Sequence, residues 1–318
     1  MKPSRTHQAR LIAVAKLNLG LRVLCKRADG FHELRTLFQT ISLADSIDIS
    51  YTASKTREIT LESELAIADN LIVRATYALL NEIGTGGKIH FKLKKKIPMG
   101  GGLGGGSSNA AAILLGLPAL MGKRVPLEVL SRIGAALGSD VPFFLHGGRA
   151  LGLGRGTELY PLPDGPAEPV LLVVPGFPIS TPEAYRMISA NLGPDATSTS
   201  TFEAQLWQGE GERFYQKKRV HLQNDFEPSA FAQFPELAEI QKSLWRTGAS
   251  PAGMTGSGST LFGFHENQDK AKAAGTKLKN WRTIAASTVT RRKFRTTWFK
   301  QLGTYSDCKS WPPGKQKD

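Results

Sequence analysis

Residues 98–109 read PMGGGLGGGSSN, and six of the seven residues from Gly100 to Gly106 are glycine. Every glycine adds backbone entropy that folding must remove, so such a run inside a folded chain needs a reason. A flexible linker is the weakest reading. Gly/Ser linkers lie between domains, whereas this run joins the alternating stretch KIHFKLK (88–94) to the apolar SSNAAAILLGL (107–117). The first reads as a strand and the second as a helix. A dinucleotide turn is matched literally by Gly100-x-Gly102-x-x-Gly105. In a run this rich the match is nearly automatic, and the acidic residue due about 20 positions later is missing, because Glu128 falls in a helical pattern. No Gly-Lys-Ser/Thr follows, so the loop is not a Walker A motif. A phosphate cradle remains. Glycines let backbone N–H groups approach an anion closely, and a helix opening at Ser107 adds unpaired N–H donors and the positive end of its dipole. Ser107 and Ser108 supply hydroxyls at that end.

Working outward, RLIAVAKLNLGLRVL (10–24) partly alternates and reads as a half-buried strand that projects Lys16 and Asn18 from one face. SIDISY (46–51) reads as another strand. DNLIVRATYALLNEIG (69–84) predicts a helix capped by Asp69, striped by Leu71, Ala75, Ala78 and Leu79, and ended by Gly84. PLEVLSRIGAALG (126–138) predicts another, with Pro126 in its first turn. SDVPFFLHGG (139–148) is a short segment, and GGRALGLGRGTEL (147–159) a hairpin. PLPDGPAEP (161–169) is the most linker-like stretch and marks the expected domain boundary. VLLVVPG (170–176) restarts as a buried strand, a long polar helical region follows, and GMTGSGSTLFGF (253–264) is a second glycine-rich turn entering a strand. The alternation of elements with separate hairpins argues for an α+β or mixed architecture.

The composition is that of a globular protein: 318 residues, 41% apolar and 21% charged, with no apolar run long enough to span a bilayer. The basic, polar start and the broken apolar stretch after it show no signal peptide. Cys25 and Cys308 lie far apart, which fits a reducing cytoplasm. His7, His90, His146, His221 and His265 show no metal-ligand spacing. A net charge of +14 asks for an anionic partner, either nucleic acid, a membrane surface or a phosphorylated metabolite. Residues 291–318 concentrate the excess, with aromatics at Phe294, Trp298 and Phe299, and read as a solvated tail or surface helix, with nucleic-acid binding as the competitor.

The glycine loop with its two serines resembles the phosphate-binding motif of the GHMP kinases, the superfamily of galactokinase, homoserine kinase, mevalonate kinase and phosphomevalonate kinase. AKLNLGLRV (15–23) and KRADGFHELRTLFQTISLAD (26–45) are similar to one branch, whose substrate is a cytidine diphosphate derivative of methylerythritol. DNLIVRA (69–75), GSDVPFFL (138–145), ISTPEAY (179–185), NDFE (224–227) and MTGSGSTLFG (254–263) continue the likeness in order, over residues 10–290. The resemblance implies an α+β, two-domain GHMP kinase fold. Residues 1–160 would form an ATP-binding domain of the ribosomal protein S5 domain 2-like type, 161–290 a ferredoxin-like substrate domain, and 291–318 a basic tail. It implies phosphorylation of the substrate's 2-hydroxyl by ATP with Mg²⁺, in the non-mevalonate route to isoprenoid precursors. The partner is then a small molecule, with no nucleic acid and no membrane expected.

Roles follow position by position from that resemblance. Asp140 matches the catalytic aspartate, as general base or electrostatic positioner. Lys16 would hold it ionised, lower the pKa of the substrate hydroxyl, or both; a lysine in mid-strand among apolar residues is costly unless its charge is used. Asn18 would position the substrate. Phe31 and Tyr185 would stack on the two faces of cytosine, at ~1–3 kcal/mol per base, with His32 hydrogen-bonding its edge. Phe31 stands where tyrosine is common. Taken alone, Phe31 and Tyr185 fit core aromatics and His32 a surface residue. Thr181, Gly256 and Ser257 would serve the substrate side. Pro98, Met99, Gly100, Gly101, Gly102, Leu103, Gly104, Gly105, Gly106, Ser107 and Ser108 would hold ATP, with Asn70, Leu71 and Lys95 bordering adenine. Ser108 is the candidate Mg²⁺ ligand; no acidic partner is named. Another GHMP kinase acting on homoserine or mevalonate is the nearest competing expectation, and it leaves Phe31, His32 and Tyr185 without use.

Overall fold

Two strands of 21 residues, β1 (Thr6–Lys26) and β2 (His32–Thr52), pair antiparallel from end to end and organise the computed structural model. The structure describes residues 5–65, 67–189, 223–307 and 310–315. The inner half of β2 pairs with β5 (Arg149–Gly154), and its outer half with β4 (Gly87–Lys94). β3 (Arg57–Ser63) lies parallel to β4, and β6 (Glu158–Pro161) closes the other edge, giving a six-stranded sheet. A second, antiparallel sheet has the order β10-β7-β9-β8, from β7 (Pro169–Val174), β8 (Ala252–Met254), β9 (Leu261–Phe264) and β10 (Arg282–Ser287). The stretch 161–169 separates the two sheets.

Helices α1 (Leu71–Ile83), α2 (Gly105–Leu120), α3 (Leu127–Leu137) and α4 (Val141–His146) cover the first sheet. Helix α2 is apolar all round, with every residue from Ser108 to Leu120 buried, which makes it the spine of the first core. α5 (Thr181–Ser189), α6 (Glu227–Gln233), α7 (Pro235–Arg246) and α8 (Gln268–Lys277) accompany the second sheet. Part of the long polar helical region expected after β7, residues 190–222, lies outside the described residues, as do His221 and Cys308. No helix among the described residues is long and apolar enough to cross a membrane.

The middle of β1 departs from the half-buried strand expected. Leu11 and Ala13 face the helical core, but Ala15, Leu17 and Leu19 face a seam built with Val170, Leu172, Phe262 and Phe264 of the second sheet. Between them the β1–β2 register shifts at Val14/Ala15. At that shift two residues of β2, Ser42 and Leu43, have no partner in β1. Beyond it the odd residues face the seam, and the even residues Lys16 and Asn18 face the cavity on the helical side. Both faces are covered, so no solvent-facing alternation survives.

One local reading is corrected and two are sharpened. The cap of α1 is Asn70, whose Oδ1 accepts from Ile72 N at 2.9 Å, while Asp69 takes a left-handed φ of 50° and pairs with Arg74. Segment 139–148 contains a helix. Of the two forms expected for the C-terminal segment, the surface helix is the one found: α9 (Arg291–Leu302) exposes Arg292, Lys293 and Lys300 and buries Phe294, Trp298 and Leu302 in the first core, which removes two aromatics from any exposed nucleic-acid platform.

Candidate active site

A cavity of about 770 Å³ opens between the first sheet's helices and the second sheet's turns. The glycine loop forms one wall. Gly104, left-handed at φ 69°, caps α2 with no side-chain bond, so the first N–H groups of this 16-residue helix face the cavity with its dipole behind them. The glycines also serve packing. Gly102 has φ 74°, and a Cβ there would lie 2.1 Å from the carbonyl oxygen of Thr255. The loop therefore locks against the second glycine turn, which Asn224 holds in place by donating to the carbonyls of Met254 and Gly256 at 2.8 and 2.9 Å.

Lys16 and Asn18 reach the cavity floor from β1. Main-chain N–H of Lys16 donates to Leu103 O at 3.1 Å, and Asn18 N donates to Thr255 Oγ1 at 2.9 Å, so the strand is stitched to both turns. The Lys16 ammonium, with its side chain 4% exposed, donates to Asn18 Oδ1 and lies 3.5 Å from Asp140 Oδ2. Asn18 Nδ2 donates onward to Thr36 Oγ1, which donates to Gly20 O, fixing the amide's orientation. Burial pushes the Lys16 pKa down, and the Asp140 charge only partly restores it. Asp140 stands before the first residue of α4 without spending its carboxylate on capping, and remains 31% exposed. A buried cation and an accessible carboxylate thus meet in the cavity that the glycine loop lines.

An aromatic cluster forms the far end. His32 stacks on Tyr185 with centroids 4.5 Å apart and 17° between planes, and Tyr185 meets Phe226 edge-on. Burial, and then the Asp140 charge, push the Tyr185 hydroxyl well above its ordinary pKa, so it stays a neutral donor. Burial, with Lys26 adding to it, lowers the pKa of His32. Phe31 is 46% exposed, and the guanidinium carbon of Arg155 lies 3.4 Å from its ring centre.

Of the residues singled out in the sequence, all but Ser108 line this one cavity: Lys16, Asn18, Phe31, His32, Asn70, Leu71, Lys95, 98–107, Asp140, Thr181, Tyr185, Gly256 and Ser257. Ser108 is a correction: its hydroxyl donates to Val14 O at 2.6 Å and its side chain is buried behind the loop, so Ser107 is the serine facing the cavity. Lys95 lines the cavity, but its charge is spent. Its Nζ donates to Asp45 at 2.5 Å, and that buried carboxylate also accepts from Lys96 N, Ile97 N and Asn109 Nδ2. Without a base between them, Tyr185 stacks on His32 and Arg155 covers a face of Phe31. Sequence reading missed Arg155, which sits in the hairpin turn GLGRGTEL (152–159), and missed Asp45; neither spacing nor pattern marks them. Among the described residues there is no cluster of three or more His, Cys, Asp or Glu side chains that could hold a metal.

Comparison with known proteins meets this geometry from outside. Residues 70–148 match the GHMP kinases N terminal domain and 205–282 the GHMP kinases C terminal domain. A 4-diphosphocytidyl-2-C-methyl-D-erythritol kinase of Solibacter usitatus is 46% identical over 97% of this chain and 98% of its own length, too complete a match to omit residues 291–318. A crystal structure of 4-(cytidine 5'-diphospho)-2C-methyl-D-erythritol kinase, 36% identical, superposes with a TM-score of 0.72 over 88% of this chain and 98% of that one. A homoserine kinase from Cytophaga hutchinsonii, 18% identical, shares the fold alone, with a TM-score of 0.68 over 89% of this chain and 95% of its own. A strand–glycine loop–helix cradle facing a second α+β unit defines a small-molecule kinase of the GHMP class. The chain belongs, within that class, to the family of the 4-diphosphocytidyl-2-C-methyl-D-erythritol kinases.

Proposed function

We propose that this chain transfers the γ-phosphoryl group of ATP to the 2-hydroxyl of 4-diphosphocytidyl-2-C-methyl-D-erythritol, giving the 2-phosphate and ADP, as a cytoplasmic enzyme of the non-mevalonate route. The observation that supports this most directly is the Lys16–Asp140 pair, which stands inside one cavity between the N-terminus of α2 and the His32–Tyr185 stack. Residues 1–160 act as the ATP-binding domain and 161–290 as the substrate domain, with the C-terminal segment docked on the first.

Phosphoryl transfer has a loose transition state, so catalysis is mainly positioning and charge stabilisation. The loop N–H groups and the dipole of α2 receive the phosphates. Ser107, whose hydroxyl faces the cavity from the loop end of α2, is the residue suited to a Mg²⁺ ion carried by the ATP phosphates, which would neutralise developing charge there. The substrate oxygen forms its bond to the γ-phosphorus as the bond to the bridging β-oxygen breaks, and the hydroxyl proton passes to Asp140. Lys16 stabilises the charge that grows on the oxygens. The rings of Phe31, His32 and Tyr185 take the base, and Arg155 takes the diphosphate beside it.

The test is ADP release by the pure protein with ATP, Mg²⁺ and this substrate. Turnover that CDP inhibits competitively is expected, with homoserine and mevalonate inert; a folded protein without turnover, or one that prefers either of those alcohols, overturns the reading. Arg155→Ala is expected to raise KM for the cytidine substrate about tenfold, with KM for ATP and kcat little changed, as loss of one charge-assisted contact made equally in ground and transition states. Arg155 Nε is buried without a protein partner among the described residues, which leaves it a donor to offer.

A further inference from the structure

The C-terminal segment lies beyond both family matches, yet it touches the helix that carries Asp140. We propose that it is a buttress for α4, with Trp311 as a positioning residue for the acceptor end of the site; the inference rests on the role given to Asp140 above. Helix α4 has six residues, too few to hold itself, and Val141–Leu145 are all buried, so its place is set by what grips its body and its far end.

The far end is gripped by the C-terminal segment. Trp311 Nε1 donates to Leu145 O at 2.9 Å, satisfying one of the carbonyls that a helix end leaves open. Gly147, left-handed at φ 64°, packs so tightly on Phe294 that a Cβ would lie 2.3 Å from its ring. Trp311 is itself held: Arg124 Nη2 donates to its carbonyl at 3.1 Å, and Phe294, Phe299 and Arg295 surround its indole. The start of α9 is anchored to the stretch between the sheets, where Asp164 accepts from Arg291 N and Arg292 N at 2.8 and 3.2 Å. On its inner side α4 presses on the site. Phe143 stacks on Phe38 at 4.7 Å, and a Cβ on Gly104 would lie 2.9 Å from the Phe144 ring. The helix is therefore a wedge, with the indole behind it and the glycine loop and Lys16–Asp140 pair before it. Catalytic groups need support to a fraction of an ångström, and a 1 Å misplacement costs about 10²-fold in rate.

Trp311→Phe keeps most of the packing and removes only the donor to Leu145 O; Trp311→Ala removes both. Leu302→Ala, at the far end of α9 in the same core, is the stability control. Each is compared with wild type by steady-state kinetics for both substrates and by thermal unfolding. The expected result is a drop in kcat of about tenfold for Trp311→Phe, with both KM values within about twofold, and a full wild-type kcat for Leu302→Ala despite a lower Tm. Wild-type kcat in Trp311→Phe, or a kcat loss in Leu302→Ala that follows its loss of stability, overturns the proposal, as does a change confined to KM. Should Trp311→Ala not fold, the Phe variant carries the test. Failure of the wild type to turn over, by contrast, overturns the proposed activity and leaves the buttress contacts unaddressed by kinetics alone; hydrogen exchange of the α4 amides, faster in Trp311→Phe and unchanged in Leu302→Ala, then decides it.

Discussion

Asp140→Asn is expected to lower kcat about 10³-fold, within the range that general base and electrostatic contributions supply, while ATP binding stays within about threefold. The reasons are local. The carboxylate caps no helix, is 31% exposed, and has Lys16 as its charged partner at 3.5 Å. Asparagine matches its size and keeps one acceptor oxygen, so the fold loses little, but the proton acceptor and the negative charge both go. The second loss propagates. Asp140 is what opposes the desolvation of Lys16, so without it the lysine's pKa falls further and its ammonium is less populated. The cradle at the N-terminus of α2 shares no side chain with Asp140, which is why ATP affinity should stand. Measured kcat above one tenth of wild type, or an ATP affinity that collapses with kcat, removes Asp140 from the acceptor role.

Much of this was legible from local chemistry. Gly100 to Gly106 between an alternating run and an apolar run can only be a tight strand-to-helix turn, and that is what β4 and α2 enclose. Asp69 and Ser108 went astray for a related reason: both are short polar side chains near a helix start, where capping, backbone bonds and ligand contact compete. Which wins depends on neighbours far away in sequence, such as Val14 for Ser108. The turning-over of β1 at Val14/Ala15 was invisible, because a register slip is a property of the pair and no residue there announces it. The same holds for Arg155 and Asp45, whose roles come from tertiary proximity to Phe31 and Lys95.

The C-terminal segment was half legible: a surface helix was one of the two forms expected, but its buried face was not. Its charge excess drew attention, while the spacing of Phe294, Trp298 and Leu302, four residues apart, marks a buried stripe on a helix. Net charge speaks to solubility and partners, and periodicity to packing; where they conflict within one helix, both can hold, on opposite faces.

Lys16→Met is expected to abolish turnover nearly as thoroughly as the loss of Asp140, about 10²–10³-fold in kcat, and yet to leave the protein at least as stable at neutral pH. Methionine has nearly the shape of the lysine stem, which is bounded by Phe38, Phe144 and Leu103. The one cost on the other side is the donor that Asn18 Oδ1 loses, about 1–3 kcal/mol, against the removal of a buried charge. The sign of the charge effect is set by burial, which lowers the Lys16 pKa below its ordinary 10.5 despite Asp140. A folded value below the unfolded one means that the unfolded chain binds this proton more tightly. The folded state is therefore penalised wherever lysine is protonated in the unfolded chain. The penalty shrinks as pH rises from the lowered folded value toward 10.5 and is gone above it. Methionine never carries the penalty, so the variant's advantage should be greatest near pH 7 and close as the solution is made alkaline. Thermal unfolding of both proteins at pH 7 and near pH 10 measures the gap. A variant that melts below wild type at pH 7, or a gap that widens with pH, would show that Lys16 holds the fold together. The expected pattern shows the reverse: the strand keeps a buried ammonium at a cost in stability, because the reaction beside Asp140 needs its charge.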